Sequence, residues 1–314
     1  MIDITLENFQ SELIQASLQQ PVLLDIWAPW CGPCKQLGPV LERLETAYEG
    51  RFQLAKLNSD EQPEIAGQLS QMFGVRSIPF CVLFAGGQPV DGFVGALPEA
   101  QIRTFLDKHV PSSAELESQS EAEEAEALVE QGDADGALER LQEALAVDPS
   151  NETARFDYVK LLLELDRPDD ARRAFEPLTS AALVNQRVAA LRLWLEAADA
   201  VRQAPAIDTL DAAIAANKRD FDARFQRAQR LFIEQQPTAA MDELLEILMR
   251  DKAWADGRAR KLYVAILELM SKPPAPKAAA NEPKGTLELT GKAEVAAADP
   301  VVDQYRRKLS MVLF

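Results

Sequence analysis

The stretch that decides the fold runs Val22-Leu23-Leu24-Asp25-Ile26-Trp27-Ala28-Pro29-Trp30-Cys31-Gly32-Pro33-Cys34-Lys35. Its first six residues are a short apolar run with one carboxylate inside, the pattern of a strand buried on both faces. Two cysteines separated by two residues follow, and an amphipathic segment extends from them to about Tyr48, so a dithiol that closes into a disulfide and reopens sits between a strand and a helix. A thiol attacks only as thiolate. Cys31, at the amino end of that helix, lies close to unpaired N–H groups and the positive end of the helix dipole and is the expected attacker. Cys34, one turn in and expected to be more buried, resolves the mixed disulfide. It needs a base, and Asp25, costly to ionise inside an apolar strand, is suited to take and return the proton. The competing reading of Asp25 is a structural buried carboxylate.

Around this stretch, residues 1–110 alternate strand and helix signals. The spacing predicts a short β start, a helix from Asn8 to Gln19, strands at 52–57, 80–84 and 90–94, and helices at 63–72 and 98–109. Gly86-Gly87 turns the fourth strand into the fifth. The expected class is α/β, a mixed sheet with helices on both faces. Cys81 falls in a core strand, where an inert buried thiol is the plain reading, and His109 reads as a surface residue at a helix end. No metal site is expected, because Cys31 and Cys34 would need two more ligands and only Cys81 and His109 are at hand; no cofactor is expected either.

From about Ser120 the composition turns to Ala, Leu, Glu and Arg with helical periodicity. Ala137-Leu141-Ala144, Ala171-Phe175-Leu178, Ala206-Leu210-Ala213 and Ala240-Leu244-Ile247 repeat one pattern, their leading alanines 34, 35 and 34 residues apart. That is the period of tetratricopeptide repeats, in which paired helices cross where small residues sit. Ala125, Leu128 and Pro149 support the first unit and Ala228 and Leu231 the fourth. The third, with Trp194 where a small residue is usual, is degenerate, and a generic helical bundle is the alternative. Residues 254–270 read as a capping helix.

The boundaries expected are residues 1–110 for the α/β domain, 111–119 for an acidic linker, 120–270 for the repeats, 271–298 for a flexible Pro- and Ala-rich linker, and 299–314 for an amphipathic helix. In that helix Val302, Tyr305, Leu309 and Val312 share one face and Arg306, Arg307 and Lys308 cluster opposite.

The chain has 314 residues, 47% hydrophobic and 26% charged, and a net charge of -17. This suits two or three globular domains and argues against nucleic acid or an anionic membrane as partner. No apolar run approaches the length of a membrane span. The start shows no secretory signal pattern, and three cysteines, two in a reactive motif, indicate a reducing compartment. The expected location is cytoplasmic.

Residues 1–110 resemble thioredoxin through Asp25 to Lys35, Ala55-Lys56-Leu57-Asn58, Ser77-Ile78-Pro79 and Gly86-Gly87. The resemblance implies a thioredoxin fold, Lys56 beside Asp25, and Pro79 as the cis-proline whose neighbouring backbone pairs with an extended client. Trp30, Gly32, Pro33, Ile78, Val94 and Gly95 complete the client-binding surface. Phe80 departs from the smaller residue usual there, which bears on which clients fit. The whole architecture, with Tyr305-Arg306-Arg307-Lys308-Leu309 near its end, resembles the chaperedoxins, redox-linked holdase co-chaperones. That resemblance implies binding of unfolded or oxidised clients, protection of their cysteines by thiol-disulfide exchange, and transfer to the chaperonin GroEL or to DnaK. Thioredoxin reductase is a further implied partner. The GroEL contact would be the terminal helix, through Val302, Tyr305, Arg306, Arg307, Leu309, Val312 and Phe314. The long 271–298 insert departs from the family and would make that helix a tethered module. The alternative is a cytoplasmic disulfide reductase whose repeats only recruit it to a partner.

Overall fold

The computed structural model of the chain describes residues 2–271 and 299–313. The expected linker lies, from residue 272 on, outside them, as does Phe314. Two compact units divide between Leu116 and Glu117.

In the first unit, β1 (Ile2–Asp3) leads into a π-helical segment, Phe9–Gln15, and a 3₁₀ turn, Ala16–Leu18. These take the place of the regular helix expected from Asn8 to Gln19. There follow β2 (Val22–Trp27), α1 (Gly32–Ala47), β3 (Gln53–Asn58), α2 (Pro63–Phe73), β4 (Phe80–Ala85), β5 (Gln88–Val94) and α3 (Glu99–Asp107). The sheet order is β1-β3-β2-β4-β5. β1, β3 and β2 run parallel, and β4 and β5 are antiparallel to their neighbours. Gly86 and Gly87, with φ of 62° and 79°, make the tight β4–β5 hairpin, a turn that needs positive φ at both central positions.

β2 is central, so both its faces are covered and its sequence is apolar but for Asp25. Val22, Leu24 and Ile26 pack toward α2 and Leu13. Leu23 packs with Leu37, Leu41 and Leu44 of α1 and Ile102 and Leu106 of α3. Asp25 shares that second face, since side chains alternate along a strand.

The stretch 111–119, expected as an acidic linker, is helical from Ser113 on: α4 begins there and runs to Gln131. Ser112 and Glu115 form a capping box. The Ser112 N–H donates to Glu115 Oε2 (2.6 Å) and the Glu115 N–H donates to Ser112 Oγ (3.1 Å), satisfying two end donors at once.

The second unit continues with α5 (Ala134–Val147), α6 (Glu152–Glu164), α7 (Pro168–Phe175), α8 (Gln186–Gln203), α9 (Ile207–Ala216), α10 (Phe221–Ile233), α11 (Pro237–Leu248), α12 (Trp254–Met270) and α13 (Pro300–Leu313). Asn or Asp side chains cap α6, α8 and α10, and Pro opens α7 and α11, start signals that favour regular helix boundaries. Ala137, Ala171 and Ala240 sit at equivalent places in α5, α7 and α11 and are fully buried, as helix crossings require. The third unit differs from the expectation. Ala206 is the exposed residue before α9, and the buried crossing position is taken by Leu210. Leu210 and Ile214 form a small cluster of their own with Ala223. Trp194 is buried against Phe232, ring centroids 4.8 Å apart. α12 packs on α8 and α11.

α13 is not free of the array. Its face bearing Val302, Tyr305, Leu309 and Val312 joins the core of the second unit and meets α11 and α12. Tyr263 Oη donates to the Tyr305 carbonyl (2.8 Å), Tyr305 Oη donates to Asp242 (3.1 Å), and Lys308 Nζ pairs with the same carboxylate (3.0 Å). Arg306 donates to Ser271 Oγ (2.9 Å). The face expected to meet a partner is therefore consumed within the chain, because α11 and α12 leave an apolar edge that it covers. Arg306, Arg307 and Met311 face outward.

Candidate active site

The dithiol is built by the junction of β2 and α1. The Cys31 N–H donates to the Ala28 carbonyl (3.1 Å), closing the turn after the strand. Cys31 is then the residue before α1, its Sγ accepting from the Cys34 N–H at 3.2 Å, with Pro33 in the first turn. A backbone donor aimed at sulfur, together with the amino end of a sixteen-residue helix, favours the thiolate at Cys31 once the pair is reduced. Cys31 and Cys34 are disulfide-bonded, Cα atoms 5.3 Å apart. They pack with Ala28, Trp27 and Ile78. Their exposures, 3% and 4%, are alike, so the expected greater burial of Cys34 is not found in this oxidised form, where one bond holds both sulfurs in the same pocket.

Asp25, 2% exposed, sits in the middle of a row across the sheet. Lys56 of β3 is its register partner on one side and Cys81 of β4 on the other. Burial pushes its carboxyl up from 3.8 to about 6, against the smaller opposing pull of Lys56 and of the Cys81 hydrogen bond. Lys56 Nζ lies 2.8 Å from Glu42 Oε1 of α1. It runs beneath Gly38, where even a Cβ would stand 3.7 Å from the ammonium. The row lies on the sheet face that α1 covers, and α1 carries Cys34 in its first turn.

The expected client surface comes together in part around this pair. Ile78 packs on the cysteines, and the Ile78–Pro79 peptide is cis. Gly95 donates to the Pro79 carbonyl (2.8 Å), and Val94, exposed, is the partner of Phe80 in the β4–β5 register. Trp30 is 70% exposed, its Nε1 donating to both oxygens of Asp60 (3.2 and 3.0 Å). Gly32 and Pro33 are exposed between the cysteines. Phe80, expected to alter client fit, is buried and stacked edge-on against Phe73 (5.5 Å), its side chain in the core. His109 is not a free surface side chain either. Its ring is 2.8 Å from Asp91 and lies against Phe105. Asp60, Gly38, Glu42 and the Cys81 contact are the residues the motif alone does not reveal. Cross-strand register is the one signal that would have placed Cys81 opposite Asp25. Among the described residues no cluster of three or more His, Cys, Asp or Glu is placed to hold a metal ion.

The thioredoxin family model matches residues 1–108. The thioredoxin of Chlorobaculum thiosulfatiphilum is 49% identical over 104 residues, which is 33% of this chain and 91% of that protein. The chain belongs to the thioredoxin family. Thioredoxin 1 of Nostoc sp. is 42% identical over 107 residues, 34% of this chain and 94% of its own length. The chloroplastic M-type thioredoxin of Zea mays is 39% identical over 95 residues, 30% of this chain and 54% of its own. Two tetratricopeptide repeat models match residues 128–195 and 200–279. A thioredoxin domain with its redox pair is thus joined to a repeat module of the kind that binds proteins. Among the described residues no helix is long and apolar enough to cross a membrane.

Proposed function

We propose that this chain is a redox-linked holdase co-chaperone: it binds unfolded or oxidised clients and protects or reduces their cysteines by thiol-disulfide exchange. The observation that carries this reading is one polypeptide joining a complete dithiol site, Cys31 and Cys34 with Asp25 on the adjoining strand, to a helical repeat module. In the exchange, the Cys31 thiolate attacks a client disulfide, forming a Cys31–client disulfide and releasing one client thiolate. Cys34 loses its proton to the Asp25 carboxylate and attacks Cys31 sulfur, which breaks the Cys31–client bond and restores the Cys31–Cys34 disulfide. The second client sulfur leaves as thiolate and takes a proton. Two electrons pass from the dithiol to the client, and thioredoxin reductase is the proposed source of their replacement. Trp30, Gly32, Pro33, Ile78, Pro79, Val94 and Gly95 are the proposed client-binding surface.

Clients pass in this proposal to the chaperonin GroEL or to DnaK in the cytoplasm. Because the apolar face of α13 is packed in its own unit, the GroEL contact would use the outward face, Arg306, Arg307 and Met311. That packing also favours the second reading, a cytoplasmic disulfide reductase whose repeats only recruit it to a partner, since it gives α13 a purely internal task. One experiment separates them. The full chain with Cys31 and Cys34 both changed to Ser should still suppress aggregation of a denatured client at about equimolar ratio without ATP. Aggregation at the rate seen in buffer would leave the reductase reading. Arg307→Glu with Met311→Glu should weaken GroEL binding with disulfide reduction intact. Deleting α13 is the poorer test, because it would also uncover the core of the second unit.

A further inference from the structure

The exchange reaction above uses two of the three cysteines and leaves Cys81 without a task. Cys81 is fully buried in β4, directly opposite Asp25 in the β2–β4 register. Its Sγ is 3.7 Å from Asp25 Oδ1. Register partners present their side chains on the same face of the sheet, so strand pairing sets the two groups side by side. On the other flank of Asp25, the ammonium of Lys56 is directed to Glu42 at 2.8 Å. Among the described residues, Cys81 is the only hydrogen-bond donor that reaches the Asp25 carboxylate. Burial first, and the neighbouring Asp25 charge second, push the Cys81 thiol well above its ordinary range. It therefore stays S–H and can donate to the carboxylate.

We propose that Cys81 is a positioning residue for the thiol-disulfide exchange: its S–H, donated to Asp25 Oδ1, fixes the carboxylate in the sheet and leaves Oδ2 to trade the proton with Cys34. The proposal rests on the reading of Asp25 as the proton carrier. A thiol beside the carboxylate favours its charged, accepting form against the cost of burial, which is the form needed when Cys34 attacks. The titratable and charged groups beside Asp25 are Lys56 from β3, itself paired with Glu42 of α1, and Cys81 from β4. β5 contributes Phe93 beyond Cys81. Cys81 itself exchanges no electrons.

The test uses the full chain. In rapid-mixing experiments on the pre-reduced protein, the second phase, in which Cys34 releases the peptide from its mixed disulfide with Cys31, no longer depends on Cys31 ionisation; between pH 4.5 and 8 its rate should fall on the acid side as Asp25 takes up its proton, and Asp25→Asn should lose that limb. Cys81→Ala should move the limb up by roughly 0.4 to 0.7 pH unit, the size of one weak donor lost. Cys81→Ser, a stronger donor, should hold the limb at or below its wild-type position. A limb that stays in place in both variants, whatever their melting temperatures, overturns the proposal. A limb that survives in Asp25→Asn overturns the reading of Asp25 beneath it. A second measurement needs no substitution at Cys81. In the oxidised chain Cys81 carries the only thiol of the three cysteines, so the S–H stretching band belongs to it alone. That band should lie at the low-frequency, hydrogen-bonded position and shift as Asp25 titrates or is changed to Asn. A band at the free-thiol position that does not respond to pH also overturns the proposal.

Discussion

Changing Asp25 to Asn keeps the shape of a side chain that is 2% exposed and removes the charge that burial penalises. Burial lifts this carboxyl from 3.8 to about 6, and one unit of pKa corresponds to about 1.4 kcal/mol. The ionised carboxylate therefore costs the folded state about 3 kcal/mol once the pH is well above 6. The sign follows from the direction. With a folded-state pKa above the unfolded value, the relative stability is fully present below about pH 4, where both states hold the proton. It is lost as the pH rises through about 6. Asp25→Asn should thus be more stable than the wild type by about 3 kcal/mol at pH 8, with the gap closing between pH 6 and pH 4. Denaturant-dependent hydrogen exchange at the amides of β2 and β3, run on the oxidised chain, reports the first unit separately from the helical one. A gap that is constant with pH, or largest in acid, would refute the argument that burial of charge sets the behaviour of Asp25.

Cys31→Ser should abolish insulin reduction, whereas Cys34→Ser should leave Cys31 able to attack and accumulate mixed disulfides on non-reducing gels; turnover by either variant contradicts the division of roles. Tyr305→Phe removes the hydroxyl with its bonds to Asp242 and Lys308 and should cost about 1 kcal/mol, while Tyr305→Ala opens the core and should cost about 3 to 5 kcal/mol. Exchange protection of α13 reads the difference, and equal costs would contradict the packing described. Burial pushes Asp91 up, but bonds from His109, the Gly92 N–H and Lys108 outweigh it and hold its carboxyl below the ordinary range. The stability it adds is present above the unfolded carboxylate pKa and lost as the pH falls through the folded one. Asp91→Asn should accordingly weaken the first unit at neutral pH and converge with the wild type in acid, as followed by urea midpoints.

The sheet and the helices that follow it were legible because β2 is apolar but for Asp25, the helix periods after it are clean, and two glycines mark the hairpin; the segment before β2 kept its helical signal but not its regular form. The repeats were legible from their spacing, but Ala206 was not in its expected place, since a period finds the unit and only packing shows that Leu210 took the crossing. Ser112 and Glu115 carried a capping signal that the acidic composition around them masked. For α13 the amphipathic face was visible, yet which apolar surface it covers depends on the edge that α11 and α12 leave open, and no local pattern encodes that. At the site, Cys31, Cys34 and Asp25 stood out by residue type. Cys81 and Asp60 did not, because their roles depend on strand register and on a contact across thirty residues.

In the proposed function the dithiol works on proteins held by the same chain, and the most direct test is the rate of mixed-disulfide formation by full-length Cys34→Ser. Holding a client raises the effective concentration of its disulfide near Cys31, so a denatured protein with one disulfide should form the adduct about a hundredfold or more faster than a small disulfide at equal concentration. The rate should saturate at one client per chain. Equal rates per disulfide, without saturation, would mean that the repeats hold no client for the cysteines and would contradict the account.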